Sequence, residues 1–252
     1  MTPPRQILDD IALCFVFFTR LPLPVFDFRG RTLSQAIWAA PLAGVAVAVI
    51  GSIAYALAIT LGLSAGIAAA LTLAATMLAT GCLHEDGLSD TADGFGGGRT
   101  REKKLEIMRD SRIGAYGASA LIVSALLRWN ALSDLASPLY VFCGLVAAHA
   151  ASRALLPAFM HVLPPARADG LAAGAGTVSS ATALTAMAIG LIALLAIGLS
   201  GLIPAIVCLA IAFFAFRLLC QKQIGGQTGD TIGAMQQVGE ITVLIVAAAI
   251  LY

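Results

Sequence analysis

Residues 36–62 read AIWAAPLAGVAVAVIGSIAYALAITLG, with no Asp, Glu, Lys or Arg among them. A helix needs about 20 consecutive apolar residues to cross the hydrocarbon core of a bilayer, and this run supplies them with margin. Further apolar runs follow at about 64–83, 113–135, 139–162, 178–199, 202–220 and 231–252. The runs at 113–135 and 231–252 reach spanning length only by taking in Arg128–Asn130 and Gln236–Glu240. Composition agrees: 59% of residues are hydrophobic, 12% are charged and mean hydropathy is +0.92, whereas soluble chains carry about 25% charged residues. The sequence predicts an all-α, polytopic integral membrane helix bundle of about six or seven transmembrane helices, forming one domain over residues 1–252. The stretch 6–19, QILDDIALCFVFFT, is too short and too acidic at its start to span. It reads as a short interfacial or re-entrant helix.

The charges sort by side. Arg5, Arg20, Arg29 and Arg31, then Arg99, Arg101, Lys103, Lys104, Arg109 and Arg112, then Arg167 and Lys222 all fall in the N-terminal segment or after the second, fourth and sixth runs. Positive charge collects on the cytoplasmic side, so that face is expected inside and the chain is expected in the inner membrane. Seven spans would then put the C-terminus outside. Pro3, Pro4, Asp9 and Asp10 stand where a cleavable leader would carry basic residues. A net charge of +1 gives no nucleic-acid footprint. Cys14, Cys82, Cys143, Cys208 and Cys220 are scattered with no CxxC pair, which suggests neither a zinc site nor a disulfide framework. Arg128 and Trp129 read as a membrane-interface pair, and His149 and His161, each alone on an apolar run, as packing residues. A homo-oligomer is left open.

One polar stretch breaks this pattern. HEDGLSDTADGFGGG, residues 84–98, places His84, Glu85, Asp86, Asp90 and Asp93 directly ahead of Gly96, Gly97 and Gly98. On a helix, the i, i+4, i+7 spacing of Asp86, Asp90 and Asp93 puts them on one face. Like charges so close need a compensating cation or neutralisation. Oxygen-only ligands suit Mg²⁺, which takes one or two carboxylates together with substrate phosphate oxygens. His84 and Glu85 are placed to orient such a site or to move a proton. The glycines would let backbone N–H groups approach an anion, and Arg109 and Arg112, flanking Asp110, would clamp phosphate. These are the parts of a phosphoryl-transfer site. The competing reading is a solvated, ion-paired loop, and Arg101, Glu102, Lys103, Lys104 and Glu106 are assigned to an exposed helix of that kind. A second island, GGQTGDTIGAMQQVGE at 225–240, lies on the same side. Asp230, Gln237 and Glu240 share a helical face there. Glu240 enters an apolar run, where a carboxylate is a functional candidate. Asp230 either completes the metal shell or caps a helix beginning near Thr231.

Four pieces, taken together, resemble the cobalamin 5′-phosphate synthase family, the adenosylcobinamide-GDP ribazoletransferases. They are FFTRLPLP at 17–24, HEDGLSDTADGFGGG at 84–98, LEIMRDSRIGAYGA at 105–118 and TGDTIGAMQQVGE at 228–240; Pro41 and Gly44 fit as well. They occur in order from residue 17 to 240, so the resemblance covers nearly the whole chain. It implies a Mg²⁺-dependent, membrane-embedded enzyme in which a hydroxyl of α-ribazole, or of its 5′-phosphate, attacks the phosphoanhydride of adenosylcobinamide-GDP and GMP leaves. The site residues expected are His84, Glu85, Asp86, Asp90 and Asp93 for catalysis, with Asp86, Asp90 and Asp93 also holding the metal, and Gly96–Gly98, Arg109, Asp110, Arg112 and Asp230 for substrate or phosphate, Asp230 being also the candidate to complete the metal shell. A lone DGxxD also suggests a CDP-alcohol phosphotransferase, but the Ala-Arg pair and the later GxxxDxxxD of that superfamily are missing. A cation-coupled transporter would explain carboxylates in a bundle, yet the islands lie at one surface rather than at the midplane.

Overall fold

The computed structural model describes residues 3–24, 30–168 and 176–251. Arg29, counted above with the cytoplasmic cations, lies outside these residues. All regular elements among the described residues are helical: α1 Pro3–Phe18, α2 Leu33–Ala36, α3 Ala40–Thr60, α4 Ala65–Thr80, α5 Leu83–Gly97, α6 Arg101–Ile107, α7 Ala115–Leu135, α8 Pro138–Val162, α9 Ser180–Leu194, α10 Gly198–Ile224 and α11 Gly229–Leu251. Short 3₁₀ turns at Ile37–Ala39 and Leu195–Ile197 join α2 to α3 and α9 to α10. The apolar runs therefore became helices nearly where they were expected. The acidic stretch is also a helix, α5, rather than loop.

Two apolar clusters fill the bundle, and chain order shows what separates them. Along α8, Leu145 belongs to one and Leu156 and Phe159 to the other. His149, Ser152 and Arg153 lie between. Along α11, Met235 belongs to the second cluster and Val243 and Leu244 to the first, with Gln236, Gln237 and Glu240 between them. A buried polar layer thus crosses the middle of the bundle. The chain from Val178, in the second cluster, passes Leu194, Ile197, Ala205 and Leu209 in the first, and returns to Phe213 and Cys220 in the second. Its reversal is at Gly198, whose φ of 77° suits a residue without Cβ.

The protein is a multi-pass helical membrane bundle. Four helical stretches among the described residues are long and apolar enough to span: Leu33–Thr60, Pro138–Val162, Ser180–Ile224 and Gly229–Leu251. The bent pair α4–α5 makes five. This is fewer than the expected six or seven. Ser180–Ile224 counts once although it crosses both clusters twice, and α7 is diluted by Arg128, Asn130 and Asp134.

The bend that positions the site follows α4. Gly81 and Cys82 both adopt left-handed backbone, φ 63° and 56°, and α5 leaves α4 at 90°. A side chain at that φ costs roughly 1–2 kcal/mol, so surrounding contacts must hold Cys82 in place. Arg20 supplies one: its N–H donates to the Ala79 carbonyl at 2.7 Å, and its side chain lies where a Cβ on Gly81 would stand. Asp10, buried on α1, accepts from Arg31 Nε at 2.8 Å and Trp38 Nε1 at 2.9 Å, tying α1 to the start of the α2–α3 unit.

Candidate active site

Helices α5 and α11 meet through glycines. A Cβ on Gly87 would stand 2.7 Å from the Asp230 carbonyl oxygen and 3.1 Å from Gly233 Cα. This close approach sets Asp86 beside Asp230, and both line a cavity of about 150 Å³. Among the described residues the rest of its wall is apolar apart from His84, and includes Phe17 and Phe18 of α1, Leu33, Ile37, Leu156 and Met160. Asp90, one turn beyond Asp86, lies in the combined field of Asp86, Asp230 and Asp93, opposed by Arg167.

Asp230 sits at the start of α11 but does not cap it. Thr228 and Thr231 exchange bonds there, Thr228 N–H to Thr231 Oγ1 at 2.8 Å and Thr231 N–H to Thr228 Oγ1 at 3.3 Å, which satisfies the helix end. The Asp230 carboxylate is left to accept from Arg167 at 3.0 Å and from the Thr228 hydroxyl at 3.2 Å. Arg167 arrives by a strap: Ala166 N–H donates to the Gln227 carbonyl at 2.8 Å and Gln227 N–H to the Pro164 carbonyl at 2.9 Å.

Asp93 behaves differently from its two neighbours. It is buried, and its carboxylate accepts from Gly114 N–H at 2.7 Å and Gly117 N–H at 2.9 Å, the open donors at the start of α7. The expected trio is therefore divided, with Asp86 exposed, Asp90 half-buried and Asp93 spent on a helix end. No group of three His, Cys, Asp or Glu is arranged to hold a metal among the described residues. Asp86 and Asp90 remain as oxygen donors on one face. Mg²⁺ usually takes one or two carboxylates and completes its shell from phosphates and water, so the donor set fits that ion and not an all-protein cage.

Behind this face lies the polar layer. Glu85 points away from the cavity. Its Oε1 accepts from Arg128 at 2.9 Å and Gln237 at 3.3 Å. Arg128 also donates to Glu240 Oε1 at 3.2 Å, and Glu240 Oε2 meets His149 Nδ1 at 3.2 Å and Gln236 at 2.6 Å. Arg153 lies 3.1 Å from His149 Nδ1. A void of about 10 Å³, room for about one water, is lined by His84, Glu85, Arg128, His149, Arg153, Glu240 and neighbours. His84 is the residue common to both cavities, and its ring stacks on Phe18 with centroids 5.9 Å apart.

The four resembling pieces now stand in one place. Phe17 and Phe18 line the cavity with His84, Asp86 and Asp230, and Asp93 is bonded to Gly114 and Gly117. A sequence profile described as cobalamin-5-phosphate synthase matches residues 10–248. The chain belongs to the cobalamin-5-phosphate synthase family. An adenosylcobinamide-GDP ribazoletransferase of Mesorhizobium japonicum is 64% identical over 248 residues, 98% of this chain and 96% of its own length. Relatives of the same name from Bradyrhizobium diazoefficiens and Sinorhizobium medicae are 49% and 44% identical, over 97% of this chain and 95% and 97% of their own lengths. No solved structure matches. As a member of this family the protein is a transferase of cobalamin biosynthesis.

Several expected roles change. The glycines are not an anion-binding loop. Gly96 and Gly97 close α5, and Gly98 N–H donates to the Gly94 carbonyl at 3.1 Å. A helix C-terminus presents carbonyls, which repel phosphate. The run instead makes room: a Cβ would strike Met108 at Gly94, the Tyr116 ring at Gly96 and Lys104 at Gly98. Arg112 is bound to Asp110 at 2.6 Å, and these bonds hold the exposed Asp110 carboxyl at about 2. Arg109 lies exposed at the end of α6. Arg101, assigned to an exposed face, donates to the Ile224 carbonyl at 2.8 Å and the Ala166 carbonyl at 2.5 Å, and Lys104 bonds Gln223. Arg128 is buried and doubly paired rather than interfacial, and His149 belongs to the ionic layer rather than to plain packing. The residues missed were Arg167 and Arg153. The signal for Arg153 was a lone cation within an apolar run, and for Arg167 the single cation of a Pro/Ala/Gly-rich connection.

Gly87→Ala tests the helix contact. The added methyl meets backbone, which cannot swing aside, so α5 and α11 must separate and Asp86 must move from Asp230. Activity is expected to fall at least tenfold, since a misplacement of about 1 Å at a reacting centre can cost about 10²-fold, in protein that still elutes as folded from a sizing column. Normal turnover would show that the spacing between Asp86 and Asp230 is unimportant.

Proposed function

We propose that the protein joins adenosylcobinamide-GDP to α-ribazole, or to its 5′-phosphate, releases GMP and completes the nucleotide loop of cobalamin, using Mg²⁺ at a site on the cytoplasmic face of the inner membrane. The observation that carries this reading is the meeting of Asp86 and Asp90 with Asp230 and Arg167 at the edge of a cavity. A hydroxyl oxygen of the ribazole forms a bond to the phosphorus bearing the cobinamide. The bond from that phosphorus to the bridging oxygen breaks, and the electron pair leaves on GMP. The hydroxyl proton passes to His84, which lines the cavity and whose Nε2 has no hydrogen-bond partner among the described residues. Arg167 is held by Asp230 where it can meet phosphate oxygens. Asp86 and Asp90 would hold Mg²⁺, which when bound neutralises charge developing on the diphosphate. Glu85, paired with Arg128, anchors α5 instead of acting on substrate.

Purified protein given Mg²⁺, adenosylcobinamide-GDP and α-ribazole should release GMP, followed by chromatography, only when both substrates are present. CMP release from a CDP-alcohol, or ion flux in liposomes without GMP, would overturn the reading. Orientation has its own test. Single cysteines at Lys103 and Lys222, both exposed, in a chain freed of its other cysteines, should resist an impermeant thiol reagent in intact cells and react after lysis. Strong labelling from outside would invert the topology.

A further inference from the structure

The cavity beside Asp86 and Asp230 is too apolar for most of either substrate. Among the described residues, its wall of Phe17, Phe18, Leu33, Ile37, Leu156 and Met160 is interrupted by only three charged or titratable groups, His84 and the two carboxylates. The donor brings a guanine nucleotide, a diphosphate and an amide-rimmed corrin, all polar or anionic groups that this apolar wall would desolvate without compensating hydrogen bonds. The acceptor brings one neutral apolar piece, its bicyclic dimethylbenzimidazole ring. We propose that this cavity is the acceptor-base subsite, which seats that flat aromatic ring against Phe17, Phe18 and Met160 and leaves the ribose at Asp86. The inference rests on the transferase reading above.

The wall suits a ring. Phe17 and Phe18 meet edge to face with centroids 4.9 Å apart at 81°, and Phe18 stacks on His84 within 5° of parallel. Aromatic rings prefer such offset or edge contacts with a further ring. Phe18, Ile37 and Leu156 are 2%, 1% and 0% exposed, so that side is fixed before ligand arrives. An apolar cavity of about 150 Å³ admits a single benzene ring. A bicyclic base would fill this one and project its sugar-bearing edge outward, towards the carboxylates and His84. The base would thereby fix which ribose hydroxyl faces the phosphorus. Leu33, only partly buried, would close over the ring's outer edge.

Steady-state GMP release tests this with α-ribosides of dimethylbenzimidazole, unsubstituted benzimidazole and a purine. Each methyl removed from an apolar contact is worth about 0.8 kcal/mol, so the unsubstituted base should raise acceptor KM about tenfold or more, and the purine further, with donor KM unchanged. Leu33→Trp narrows the cavity and Met160→Ala widens it, so a folding defect in one leaves the other to decide. Both should raise acceptor KM at least tenfold and leave donor KM near wild type, and free dimethylbenzimidazole should compete with the ribazole but not with adenosylcobinamide-GDP. Donor and acceptor KM rising together, or kinetics untouched by both variants, as for a cavity that holds a lipid chain, would overturn the subsite while GMP release stands. Absence of GMP release by the wild-type protein would instead overturn the transferase reading beneath it.

Discussion

Asp86→Asn and Asp90→Asn are each expected to lose on the order of 10²-fold or more in turnover while folding as the wild type does. Each change removes an anionic oxygen from the face shared with Asp230 and keeps the side-chain size. Folding should survive because Asp86 is exposed, Asp90 is half-buried, and their mutual repulsion is relieved. Asp93→Asn should separate from this pair. Its two oxygens each accept a backbone N–H at the start of α7, and an amide offers one acceptor where two donors are fixed. One buried N–H is left facing an NH₂ group, a loss of about 1–3 kcal/mol, together with the favourable negative charge at that helix end. GMP release and thermal unfolding in detergent, measured side by side, decide the matter. Near-normal turnover in Asp90→Asn would remove it from the site, and an unshifted melting temperature in Asp93→Asn would return that residue to the metal.

What the sequence makes legible here follows from what repeats. Apolar run length fixes helices, because backbone groups in hydrocarbon must be satisfied within a helix, and α3, α8 and α11 lie close to their expected bounds. The i, i+4 pairing of Asp86 and Asp90 was readable as well, since α5 is a helix. Asp93 obeys the same spacing and still departs from the trio, because the donors that claim it come from α7, a contact across the bundle that no local period encodes. For Asp230 the sequence permits both capping and ligation. The structure gives the cap to Thr228, which lies one turn before the point where the apolar run begins. The glycines at 96–98 depart from expectation for a related reason: a glycine-rich run signals either a loop near an anion or room for a neighbour, and only the positions of Tyr116 and Lys104 tell which. Arg128 stood beside Trp129 in sequence and so looked interfacial. On the helix the two point to different surroundings, Trp129 donating to the Gly66 carbonyl at 2.8 Å and Arg128 to carboxylates from two other helices.

That buried arginine gives the largest expected effect on stability. Arg128 is 2% exposed and lies between Glu85 and Glu240, themselves 5% and 2% exposed. Arg128→Met keeps an apolar stem of similar length and deletes the charge, so two carboxylates remain in the middle of the bundle with Gln236, Gln237, His149 and Arg153 as their remaining company. Breaking one side of a buried ionic cluster costs about 3–5 kcal/mol, since the survivors stay desolvated without compensation. Replacing the whole cluster is far milder, so Arg128→Met combined with Glu85→Gln and Glu240→Gln should recover much of the loss. Arg128→Lys should recover part of it, because a single guanidinium nitrogen, Nη1, reaches both Glu85 and Glu240, and an ammonium keeps a positive charge between them. The same arginine also holds Glu85, the residue next to Asp86, so the neutral triple variant is expected to melt near the wild type yet turn over more slowly, with α5 less firmly placed against α11. Thermal unfolding of the three variants in detergent, followed by tryptophan fluorescence, reads the first effect, and GMP release reads the second. If Arg128→Met melts within about 1 kcal/mol of the wild type, the layer is hydrated enough to shield its charges and is not the clamp that holds α5.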